Sequence, residues 1–77
     1  MGRSTPTVRQ YFDAMVKNYG RMGSVMRAED CPYLEEILRL GRMHSPEVSM
    51  ANIDPETGFI LSVLIEILKK IREHEDG

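Results

Sequence analysis

Cys31 and His44 are the residues from which a nucleophile and its base could be drawn. Hydrolytic chemistry needs a thiolate or alkoxide held by a histidine that a carboxylate orients in turn. Cys31 stands beside Pro32 at a helix start, where a small buried or capping cysteine is the ordinary role. A helix N-terminus can acidify its thiol, which concerns reactivity rather than activity. His44, Glu47 and Asp54 share one connecting segment. His44 and Glu47 are three residues apart, but Ser45-Pro46 ends the helix between them, so the segment does not offer the set of ligands that one helix face presents to a metal. A histidine ending a helix more simply complements the helix dipole. Gly20-Arg21-Met22-Gly23-Ser24 has glycines but no strand–loop–helix setting for a phosphate. No catalytic, cofactor-binding or metal-ligating residue is therefore assigned.

Anion contact is the stronger chemical option. Arg3, Arg9, Lys17, Arg21 and Arg27 face Asp13 alone in residues 1–27, a local net charge of +4. The remaining fifty residues carry eleven acids against five bases, or −6. Arg9, Lys17, Arg21 and Arg27 spread over about 120° of a helical wheel, and Arg3 lies near the Thr7 and Val8 amides, so phosphate contact by a basic helix is conceivable. An overall charge of −2 and a pI near 5.6 weigh against a dedicated nucleic-acid protein. The two oppositely charged ends could equally attract each other across a subunit contact.

The elements that would position these residues are helices. Thr5 and Pro6 predict an N-cap and first helical position. Val8, Tyr11, Phe12, Met15, Val16, Tyr19, Met22 and Met26 then recur every three or four residues, over an arc of about 140°. That register predicts one helix over about 6–27, thinned at Gly20 and Gly23, where a close helix crossing would explain the glycines. Asp30 or Cys31 before Pro32 opens a second helix, about 32–44, with Leu34, Ile37, Leu38 and Gly41 as its buried stripe. Ser45-Pro46 stops it, and Pro46–Ala51 has room for one short turn. Asn52-Ile53-Asp54-Pro55-Glu56 starts the last helix, about 55–73. No strand-like alternation is present.

That last helix is the least ordinary feature. Phe59, Ile60, Leu61, Val63, Leu64, Ile65, Ile67, Leu68 and Ile71 cover roughly 240° of its circumference. A chain of 77 residues buries only about 60–65% of its unfolded surface and has little core to spare. Ile60, Leu64, Ile67 and Ile71 are expected to pack on Val8, Phe12, Met15 and Tyr19. Phe59, Leu61, Ile65 and Leu68 are then expected at an interface with another chain. The run Phe59–Leu68 is far short of the roughly 20 residues of a membrane span, and no signal sequence or myristoylation site is evident. One cysteine permits no internal disulfide, which implies a reducing, cytoplasmic setting.

Met1-Gly2-Arg3-Ser4-Thr5-Pro6-Thr7, and Asn52-Ile53-Asp54-Pro55-Glu56 followed by Leu61-Ser62 and Glu66, resemble a family of short archaeal proteins of unknown function. Its members, best represented in halophiles, open with a similar Met-Gly-Arg-Thr-x-Pro-Thr and carry a similar Asn-x-Asp-Pro before an apolar helix. The likeness covers about twenty positions and implies an archaeal, cytosolic source; it carries no activity or functional residue with it. The sequence thus predicts a single all-α domain, a three-helix antiparallel bundle over 1–77, dimeric through its C-terminal helix. It would serve as a non-catalytic interaction module, a homodimer or a subunit of a larger complex. The alternative is a weak nucleic-acid-associated protein.

Overall fold

The computed structural model describes residues 7–76, so the expected roles of Arg3, Thr5 and Pro6 lie outside the described residues. Among the described residues four α-helices follow in order: α1 (Val8–Gly20), α2 (Cys31–Gly41), α3 (Ser45–Met50) and α4 (Pro55–Asp76). Two 3-10 segments, Arg21–Val25 and Ala28–Asp30, link α1 to α2. The fold is all-α, and no strand occurs among the described residues.

Thr7 caps α1 through a reciprocal capping box: its hydroxyl accepts from the Gln10 amide at 3.2 Å, and Gln10 Oε1 accepts from the Thr7 amide at 2.8 Å. The helix expected to reach Arg27 leaves α geometry at Gly20. Two glycines weaken the helix here, and the Ser24 hydroxyl donates to the Arg21 carbonyl at 2.8 Å, holding a tighter turn. Met26 is extended, so Arg27 lies past the end of the α1 face. The expected close crossing is not at these glycines: a Cβ on Gly20 or Gly23 would meet Leu38 or Leu34 at ordinary contact distance.

Close approach occurs instead at Gly41 and Gly58. A Cβ on Gly41 would lie 2.3 Å from two ring carbons of Phe59, and one on Gly58 would lie 2.5 Å from Val48 Cγ1. These two glycines let α4 press against the end of α2 and against α3. Phe59 thereby sits at the centre of the core, edge-on to Phe12 (centroids 5.4 Å apart) and Tyr19 (5.9 Å). Its 3% exposure removes it from the expected interface. The short α3 ends in a Schellman motif: Ile53 donates to the Val48 carbonyl, Asn52 donates to the Ser49 carbonyl, and Asn52 takes φ 61°. Asp54 then caps α4, accepting from the Thr57 amide and hydroxyl at 3.1 and 3.2 Å.

The rotation of α4 is the main correction to the sequence-based expectation. Phe59, Ser62, Val63 and Glu66 point inward, with Ile67 partly buried against the same core. Ile60, Leu64 and Ile71, expected to pack on α1, instead face outward. On α2, Leu40 takes the buried place expected for Ile37, which is 40% exposed. Two polar residues point inward because the end of α2 needs them. The Ser62 hydroxyl donates to the Leu40 carbonyl at 2.7 Å, which also accepts from the Met43 amide, and accepts from the His44 amide at 3.3 Å, giving that backbone N–H past the helix end its acceptor.

The molecule is thin. Its Cα extents are 53 × 33 × 13 Å. Helix layers spaced by about 8–10 Å therefore number no more than two. Its radius of gyration is 14.5 Å, against about 11.5 Å for a compact domain of this length. Beyond Ile67 every α4 residue with a described side chain is exposed, so the last turns of this helix project from the body.

Candidate interaction face

Six aliphatic side chains occupy the outer side of α4: Ile60, Leu61, Leu64, Ile65, Leu68 and Ile71, each 43–59% exposed. At 100° per residue they fall within about 140°, an unbroken apolar stripe. The inward side of the same helix carries Ser62 and Glu66. An amphipathic helix in an isolated domain has the reverse arrangement, polar outward and apolar inward. Leu61, Ile65 and Leu68 were expected on this face and lie on it. Ile60, Leu64 and Ile71 join them in place of Phe59.

Beside Ile60 and Leu64 the stripe opens into a groove of about 490 Å³ between α2, α4 and the end of α1. Met22, Leu34, Ile37, Leu38 and Val63 line its walls, and Phe59 and Tyr19 contribute to its floor and rim. The groove is almost wholly apolar. A more polar cleft of about 430 Å³ lies on the far side of Tyr19, where the phenol donates to Glu56 at 3.4 Å. Burial and the neighbouring Glu56 carboxylate push the Tyr19 pKa up.

Behind the outer face lies a polar cluster not foreseen from the sequence. His44 Nε2 meets Glu66 Oε2 at 2.7 Å, His44 Nδ1 meets Glu47 Oε2 at 2.9 Å, and Lys69 Nζ approaches Glu66 Oε2 at 3.4 Å. With a carboxylate at each ring nitrogen, the imidazolium is favoured: Glu47 first, then Glu66, raises the His44 pKa. Both carboxyls are held below their ordinary range, with the His44 hydrogen bond the largest cause in each case. Glu66 is only 7% exposed, so its charge is paired where water is scarce. The arrangement pins the α2–α3 connection to the middle of α4. It offers no open coordination, because both ring nitrogens already have partners. Among the described residues no group of three or more His, Cys, Asp or Glu could hold a metal ion.

The other chemistry candidates are dispersed. Cys31 Sγ donates to the Gly23 carbonyl at 3.4 Å, and the length of α2, roughly 16 Å, separates it from His44. Asp54 serves as a helix cap rather than joining His44 and Glu47. Arg9, Lys17 and Arg21 are exposed, and among the described residues none of them has a carboxylate partner. Arg27 lies 4.0 Å from Glu29. Asp13, which interrupts the basic series, is paired with Arg42. No described helix is long and apolar enough to cross a membrane.

Ser62 and Glu66 left a trace in the sequence that was open to a second interpretation. They lie four residues apart within an aliphatic run, and with Phe59, Val63 and Ile67 they form an i, i+3, i+4, i+7, i+8 stripe. Taken as the inner seam, that stripe would have placed six aliphatics outside. Neither a search of curated proteins nor one of solved structures returned a match. A family model does match, over residues 1–77, and the chain belongs to that family, the Domain of unknown function (DUF8156).

Proposed function

We propose that this chain is a non-catalytic interaction module of the reducing cytoplasm, which docks the outer face of α4 against another helix in a homodimer or a larger complex. One observation carries the reading: α4 turns Ser62 and Glu66 toward its own domain and six aliphatic side chains toward water. Leaving those side chains exposed forgoes about 25 cal/mol per Å² of apolar surface. Covering them is the simplest function for a helix built this way round. An archaeal source, implied by the two helix-start motifs, belongs to the same reading.

Leu61→Glu combined with Ile65→Glu tests it. The variant is expected to run as a lighter species by light scattering and to melt lower than the parent chain at equal concentration. Unchanged mass and melting temperature would show that these positions are not covered.

A nucleic-acid role is favoured only by the unpaired exposed cations Arg9, Lys17 and Arg21. On mixed DNA and RNA it requires a mobility shift that disappears above about 0.2 M salt. No shift at low salt removes it.

A further inference from the structure

We infer that the occupant of this face is a second copy of the chain, docked with its α4 antiparallel across a two-fold axis near Leu64 and Ile65. This rests on the interaction reading above and names its partner and geometry. Three observations carry it.

The first is area. Six half-exposed aliphatic side chains present roughly 500 Å², so two copies covering each other bury roughly 1,000 Å² from these residues alone, the size at which an interface becomes specific. The second is shape. Each copy has a vacant apolar groove beside the first half of α4 and a projecting end that carries Leu68 and Ile71 with no layer of its own to cover them. An antiparallel pair lays the projecting end of one copy over Ile60, Leu64 and the groove wall of the other, at Met22 and Ile37. Both contacts form at once, as a two-fold interface requires. A parallel pair would lay projecting end on projecting end and leave both grooves open.

The third is helix polarity. Asp54 and Glu56 mark the start of α4, and its later turns mix Lys69, Lys70 and Arg72 with Glu73, Glu75 and Asp76, so side-chain charge favours neither direction. Antiparallel packing opposes the two helix dipoles. Parallel packing stacks like on like.

The test uses the full chain with Cys31→Ser and Glu75→Cys, nitroxide-labelled at residue 75, and dipolar electron spin resonance at about 100 µM protein. Antiparallel docking places the two labels about 30 Å apart, ten residues from the axis on each side. A separation under about 20 Å means parallel helices; it overturns this geometry and leaves the interaction reading standing. Absence of dipolar coupling, with a single-chain mass, overturns the second copy as partner and returns the face to a different protein. Ile37→Glu supplies an independent check. It should raise the dimer dissociation constant at least tenfold if the partner's end covers the groove, and an unchanged constant places the groove outside the contact.

Discussion

Replacing Gly41 by alanine separates the packing described above from the generic effect of the substitution. Gly41 lies in α2 with negative φ, so alanine should stabilise the helix by about 1 kcal/mol where space is open. Space is not open. The new methyl would sit 2.3, 2.3 and 2.6 Å from three Phe59 ring carbons, whereas carbon pairs pack at about 3.5–4.0 Å. The ring must withdraw by more than 1 Å from its edge contacts with Phe12 and Tyr19. Overpacking of this kind costs about 1–3 kcal/mol, and a loss of 2 kcal/mol lowers the melting temperature of a domain this size by about 8–16 °C. Thermal and urea unfolding at fixed protein concentration would measure it. Gly20→Ala is the control, with its nearest atom, Leu38 Cδ1, at 3.8 Å; there alanine should be neutral or stabilising. Phe59→Leu removes the clashing ring atoms, so the penalty of Gly41→Ala should shrink in that background, with a coupling of about 0.5–3 kcal/mol. A stabilised Gly41→Ala protein, or strict additivity with Phe59→Leu, would refute the close approach of α2 and α4.

Further outcomes follow from the buried polar residues of α4. Ser62→Ala leaves the His44 amide without its acceptor and should cost about 1–3 kcal/mol in urea unfolding; an unchanged midpoint would show that Ser62 does not tie the end of α2 to α4. The His44 cluster sets a pH optimum for stability. A histidine with a raised pKa contributes fully below its ordinary 6.5 and loses that contribution as pH rises through the folded value. Glu47 and Glu66, with lowered pKa values, contribute above their ordinary 4.5 and lose it as pH falls through the folded values. Melting temperature should therefore peak between about pH 4.5 and 6.5 and decline above. His44→Gln should flatten the upper side, and a profile identical to that of the parent chain would refute the cluster's role.

The starts of α2 and α4 were legible because capping is local, whereas α1 begins at Val8 under Thr7 rather than at Pro6. Pro32 and Asp54-Pro55 open α2 and α4 through residues within one turn of the boundary, and the surplus of aliphatic residues after Phe59 showed that one layer could not cover α4. The extent of α1 was less so, since the stripe continues through Met22 and Met26 while Gly20, Gly23 and Ser24 tip the backbone into a 3-10 turn. The rotation of α4 was not legible from its own periodicity. Hydrophobicity counts favour placing Ile60 and Leu64 inside, and what overrides them is tertiary: the His44 amide needs Ser62, His44 needs Glu66, and Phe59 needs the missing side chain of Gly41. The basic residues illustrate the converse. Their exposure followed from charge, whereas the departure of Arg27 from the α1 face depended on one extended residue, Met26.

The outward stripe of α4 should be covered in solution. Sedimentation velocity of the unmodified chain from low to high micromolar concentration measures this directly. A species of about twice the chain mass of 8.8 kDa, dissociating on dilution, is the predicted result. A single 8.8 kDa species across that range, freely soluble, would contradict a self-associating face.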